Sequence, residues 1–304
     1  MQLTEPTKYK LDLLIKILIG VNLIVLLLLL LKSQFEIPFP FPFLGKKLNN
    51  PLAFLLLLFF IRGMLNAEFR DRHLATLNRL LTTLPQRFYF FAALIAIEIG
   101  LQAMWFAYPE DFVWNLDAEQ SYGTHFSTIQ LYLLGLTVMM TAWADGGREA
   151  VWKEKLPWYL VASLYFYIGL DDCVGIHENF IIWSQHLIPE YTVFHFIHEW
   201  LWFYAPFILA AVIFLSYFFL KKFRYSPGIL FTMFVALAFW VSVLVLEGLA
   251  KNIINQMQLI DYGRLLVGLE EGFEMFGATL FILGFSKHLK NILEGKATTR
   301  SGAN

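Results

Sequence analysis

The sequence predicts an all-α fold: a polytopic transmembrane helical bundle of about eight spans with both termini cytoplasmic. Three observations predict it. Hydrophobic residues make up 58% of the 304-residue chain and charged residues only 15%. The mean hydropathy is +0.58, whereas a soluble domain of this size keeps a more charged surface. Long apolar runs recur along the chain, and Lys and Arg collect in alternate connectors between them.

The first span is predicted over 11–31, an almost unbroken Leu/Ile run. The residues that follow, LKSQFEIP, offer no small-residue cleavage site, so a retained helix is expected in place of a signal peptide. The stretch PFPFPFLG, Pro38 to Gly45, cannot be helical because alternate residues lack an amide donor. It is expected as an extended connector at the interface. Span two, 51–65, is short and contains Arg62, so it is expected to tilt little or to thin the bilayer locally. From Phe69 to Leu84 apolar residues are interleaved with Arg and Asp. A helix lying on the membrane surface fits this pattern, and so does a helical extension of span two. Further spans are predicted at 88–107, 124–144, 157–183, 194–220, 228–250 and 264–288. The polar tail 294–304 is expected to be disordered. The whole chain reads as a single integral membrane domain without an internal repeat.

Orientation follows from the cations. Lys8 and Lys10 precede span one, and Arg70, Arg72, Arg79 and Arg87 follow span two. Arg148, Lys153 and Lys155 follow span four, Lys221, Lys222 and Arg224 follow span six, and Lys287, Lys290, Lys296 and Arg300 close the chain. The connector between spans three and four holds Glu110, Asp111, Asp117 and Glu119 with no base. Lys46 and Lys47 in the first connector are the exception. The bias places both termini in the cytoplasm of a cell membrane, most simply a bacterial inner membrane.

This topology brings acids and imidazoles of four consecutive helices to the outer side. Span five carries Asp171, Asp172, His177 and Glu178. Span six opens with His195, His198 and Glu199. Span seven carries Glu247 near its exit, and span eight opens with Glu270, Glu271 and Glu274. At about 100° per residue the last three share one arc. Gly277 and Gly284 continue that face and would admit a close neighbour. Charges at membrane depth are costly and usually face a protein interior or a water-filled cavity.

So many carboxylates cannot all ionise in a low-dielectric space, because like charges raise one another's pKa. Protons, bases or a cation must compensate them. A transition metal, iron, manganese or zinc, is the economical answer, since mixed Asp/Glu/His ligands on facing helices suit these ions. The candidate ligands are Asp171, Asp172, His177, His195, His198, Glu199, Glu247, Glu270, Glu271 and Glu274. Glu178 and Glu274 are the candidate catalytic acids. Structural roles stay open: Lys251 can pair with Glu247 one turn away, and Arg264 with Glu270 or Glu271. Glu98, alone in span three, is expected to hydrogen-bond a neighbouring helix in protonated form. Trp105, Trp114, Trp183, Trp200 and Trp202 fit an outer aromatic belt.

The stretch LDD at Leu170 to Asp172 with HE at His177 and Glu178, paired with LEEGFEM at Leu269 to Met275, resembles a group of uncharacterised bacterial polytopic membrane proteins with similar acid–His patterns. The resemblance covers spans five to eight and implies no activity. Cys173 is the only cysteine, so the chain holds neither an intrachain disulfide nor a Cys-based metal site. The net charge of −1 shows no sign of a nucleic-acid surface. No phosphate-binding Gly loop or nucleophile elbow is present. Three function classes remain. The first is a metal-dependent membrane enzyme acting on a lipid or other apolar small molecule. The second is a cation or proton transporter using the same acids. The third is a structural or assembly subunit.

Overall fold

The computed structural model of the protein describes residues 5–35, 49–82, 84–108, 110–118, 121–145, 152–174, 199–257 and 260–295. Among them every regular element is an α-helix: α1 (Glu5–Phe35), α2 (Asn49–Leu65), α3 (Ala67–Thr82), α4 (Leu84–Ala107), α5 (Tyr122–Ala144), α6 (Trp152–Val174), α7 (Glu199–Phe223), α8 (Pro227–Met257) and α9 (Ile260–Leu293). The Pro38–Gly45 connector, most of the tail and the end of predicted span five lie outside the described residues. The chain divides into two compact units, Met1–Arg79 and Leu80–Asn304.

In the first unit α1 packs along α2. Asp12 lies 2.7 Å from Lys16, one turn along α1, and 3.1 Å from Arg62 of α2. Arg62 in its apolar run is thus neutralised by a neighbouring helix. Asn66 breaks the helix after α2, and its side chain accepts from the Phe69 amide at 3.0 Å, capping α3. In one straight helix Phe59 and His73 would be about 21 Å apart. Their ring centroids are 4.9 Å apart, so the chain turns back at Asn66. The stretch after span two is therefore a separate amphipathic helix and not an extension of it.

The second unit holds α4 to α9. Among the described residues four helices are long and apolar enough to cross a membrane: Arg87–Ala107, Tyr122–Ala144, Tyr204–Phe223 and Pro227–Glu247. They fall on predicted spans three, four, six and seven. The apolar window of Tyr122–Ala144 is 72% buried, against 22%, 17% and 22% for the other three. α5 is therefore the centre of the unit. The outer helices turn apolar side chains outward, among them Ile99, Phe207 and Phe231.

Glycines set the closest helix approaches. A Cβ on Gly135 would meet the Phe166 ring at 3.0 Å, and one on Gly169 would meet the Tyr132 ring at 2.9 Å, which pairs α5 antiparallel with α6. Gly277 lies against the Trp240 indole and Gly284 against Met233, which pairs α8 antiparallel with α9. On α4, Glu98 meets Thr279, Gln102 meets Gly272 and Trp105 meets Arg264, so α4 also runs antiparallel to α9.

That last face corrects one expectation. Trp105 is not in an outer aromatic belt. It is 6% exposed, packs in a core cluster with Leu101, Leu116, Val267 and Met275, and donates from Nε1 to the Arg264 carbonyl at 3.2 Å. It shares the face of Glu98 and Gln102 at helical spacing, and that face turns toward α9. Trp114 packs half-buried against the same cluster. The side chains of Trp183, Trp200 and Trp202 lie outside the described residues.

Candidate functional site

A cavity of about 790 Å³ opens among α6, α7, α8 and α9. Six carboxylates line it: Asp171 and Asp172 from α6, Glu247 from α8, and Glu270, Glu271 and Glu274 from α9. They come together because the described end of α6 meets α8 and α9 at the level where those helices carry their acids. Asp172 is close to the described end of α6, while Glu270 is in the early turns of α9. Farther along, the wall is apolar, with Leu164 and Ile168 of α6, Ile208 and Val212 of α7, and Leu244 of α8. The Trp240 indole also lines the cavity and donates to the Glu274 carbonyl at 3.1 Å. Gly277 permits this, since a Cβ there would sit 2.5 Å from Trp240 Cδ1.

Two hydroxyls of the central helix anchor the acid end. Ser127 Oγ donates to Asp172 Oδ2 at 2.6 Å, and Thr128 Oγ1 donates to the same oxygen at 2.9 Å. The hydroxyls of Tyr167 and Tyr204 lie 3.3 Å apart and join α6 to α7 beside the cavity. Among the described residues lining the cavity there is no Lys, Arg or His. Six carboxylates around one space raise one another's pKa, so protons, bases outside the described residues or a bound cation must offset their charge.

Arg264 does not provide that compensation through Glu270 or Glu271. Its Nη2 lies 3.8 Å from Glu110, a residue 95% exposed. Helix geometry explains the difference: Glu270 is about 240° round from Arg264, and Glu271 is about 10 Å along the axis. His177, Glu178, His195 and His198 lie outside the described residues, as do the side chains of Glu199 and Lys251. The possible Lys251–Glu247 pair is therefore outside as well. Among the described residues no group of three or more His, Cys, Asp or Glu is arranged to hold a metal ion. Glu98 does hydrogen-bond neighbouring helices. It accepts from Gln130 Nε2 at 2.8 Å and Thr279 Oγ1 at 2.6 Å, away from the cavity wall.

The opposite end of the unit is closed. Asp145, just beyond α5, accepts from Trp158 Nε1 and Lys222 Nζ, each at 2.6 Å. Burial alone would raise the Asp145 carboxyl, but the Lys222 ammonium and the Trp158 indole hold it below the ordinary carboxylate value. Trp158 stacks on His288 at 5.7 Å between centroids, and Phe223 meets His288 at 4.8 Å. A column of buried rings, Phe285, Phe219, Phe281 and Tyr165, continues from there to Trp240 at the cavity.

Sequence reasoning did not single out Ser127, Thr128, Tyr167, Tyr204 or Trp240. The available signal for the first two was a pair of adjacent hydroxyls in the apolar run of α5. The tyrosines and Trp240 carry no signal that separates them from other aromatics of the bundle.

Residues 88–289 match a family described as a domain of unknown function, DUF8692. The match spans more than half of the chain, and the protein belongs to that family. No curated protein and no solved structure matches the chain.

Proposed function

We propose that the protein is an eight-span inner-membrane protein with cytoplasmic termini, and that its acidic cavity is the site of a metal-dependent enzyme acting on a lipid or other apolar substrate. The observation that carries this reading is the union of six carboxylates and a long apolar wall in one cavity. The wall offers burial to an apolar molecule, and the acids offer ligands to a cation. The metal would draw about four to six ligands from among Asp171, Asp172, Glu247, Glu270, Glu271, Glu274, His177, His195, His198 and Glu199. Iron, manganese or zinc suits that donor set. When bound, the metal supplies activation of water or dioxygen. Glu274 and Glu178 would hold and move the proton, while Ser127 and Thr128 fix Asp172 in place.

A cation or proton transporter needs a second opening through the other half of the bundle. The ring column from Trp240 to Trp158 and the Asp145–Lys222 pair fill that half among the described residues. This favours a site entered from one side over a path across the membrane.

The test is elemental analysis of the protein purified in detergent, with Glu274→Gln alongside. One or two equivalents of a transition metal are expected, falling sharply in the variant, because a neutral amide is a weak ligand. A stable protein without metal would remove the enzyme reading. Reporter fusions after Asp117 and after Asn304 are expected on opposite sides of the membrane. Finding both on one side overturns the topology.

A further inference from the structure

A second concavity, about 640 Å³, runs along the outer face of α4 against α9. Phe88, Ala92, Ile95 and Ile99 form an apolar stripe at helical spacing, and the small Ala92 and Ala96 recess its floor. Arg87 and Lys287 stand together at one end. The Nη2 of Arg87 is buried and has no hydrogen-bond partner among the described residues. We propose that this groove binds an anionic phospholipid, with the phosphate on Arg87 and Lys287 and an acyl chain along the stripe to Ile99.

Three features select this occupant. The groove is apolar along its length and cationic only at its end, the polarity of a single phospholipid. Arg87 and Lys287 both line the groove, and a phosphate oxygen is the strongest acceptor for a pair of cationic N–H donors. From Arg87 to Ile99 the helix rises about 18 Å, close to the ~15 Å hydrocarbon depth of one leaflet. The proposed topology sets the two cations on the cytoplasmic side, where anionic lipid heads attract basic residues. The inference rests on membrane embedding but not on the chemistry of the acidic cavity.

The full-length protein in detergent would be titrated with phosphatidylglycerol, with phosphatidylcholine of the same chains, and with inorganic phosphate. Bound lipid is counted by native mass spectrometry. Phosphatidylglycerol is expected to be retained in preference to phosphatidylcholine and not displaced by phosphate. Lys287→Gln is expected to lower its occupancy roughly fivefold. Ala96→Trp, which fills the floor from an exposed position, is expected to lower it as well. Equal retention of the two lipids, or unchanged occupancy in Lys287→Gln, overturns the proposal. So does displacement by phosphate alone, which marks a free-anion site, or a dimer dissociated by Ala96→Trp, which marks an interface between copies. Metal content is expected to stay at the wild-type level in both variants, so this proposal and the reading of the cavity fail separately.

Discussion

Asp172 and Asp145 stand at opposite ends of one bundle, and each accepts hydrogen bonds from two side chains. At Asp145 one donor is a cation, Lys222, and aromatic rings pack the space behind it. At Asp172 the donors are two neutral hydroxyls, and the space behind is a cavity shared with five more carboxylates. The first end balances its charge from within the chain, so packing can finish it. At the second, no Lys, Arg or His lines the cavity among the described residues, so protons or a bound cation would take that part there. The same residue type thus serves closure in one place and a vacant volume in the other, and its neighbours decide which.

The comparison breaks most visibly if neutralising acids has the same effect at both ends. Glu271→Gln with Glu274→Gln is expected to lower bound metal at least about tenfold while leaving the thermal midpoint unchanged or higher, because like charges are removed. A lower midpoint with unchanged metal would make these acids structural. Lys222→Met should instead destabilise the fold by about 2 kcal/mol, since it strands a half-buried carboxylate. Adding Asp145→Asn should recover most of that loss, and a silent Lys222→Met would show that the closed end stands without the pair.

Acid pH sharpens the contrast. The Asp145 carboxyl is held below its ordinary value in the folded state. Its contribution is therefore fully present above about pH 4 and is lost as pH falls through the lowered folded value. Thermal midpoints of the wild type and Asp145→Asn are expected to converge on acidification; a constant gap down to the lowest pH would assign the effect elsewhere. The smallest effect is expected at the cavity anchor, where Ser127→Ala or Thr128→Val should cost about 1 kcal/mol each. If neither variant shifts the midpoint, the two hydroxyls do not hold Asp172.

Helical periodicity made much of this legible. The apolar runs located the helices, and the arc of Glu270, Glu271 and Glu274 pointed to one face that does line a cavity with Asp171, Asp172 and Glu247. Periodicity names a face but not the neighbour that covers it. Thr137 and Thr141 donate back to their own helix, to the Leu133 and Thr137 carbonyls, whereas Ser127 and Thr128 on the same helix reach across to Asp172. Nothing in the local sequence distinguishes the two uses of a hydroxyl. Lys222 was read only as part of a connector's charge bias. Its partner Asp145 lies 77 residues away, and Trp158, which completes the arrangement, looks like any aromatic near a helix end.

The central helix has a consequence for how the protein is made. α5 is the least hydropathic of the four apolar helices, at 1.3 against 2.7 for Pro227–Glu247, yet it is the most enclosed. Entering lipid by itself, it would expose Ser127, Thr128 and Gln130 to hydrocarbon, where unmatched polar groups are costly. Their partners are Asp172, Glu98 and Thr279, and two of these are synthesised after α5 has left the ribosome. A chain truncated after Ala144 should insert this segment less efficiently than the full chain in a glycosylation-mapping assay, and equal efficiency would refute the dependence. On this account α5 would be a provisional tenant of the bilayer during biogenesis, its place secured only when α9 arrives with Thr279.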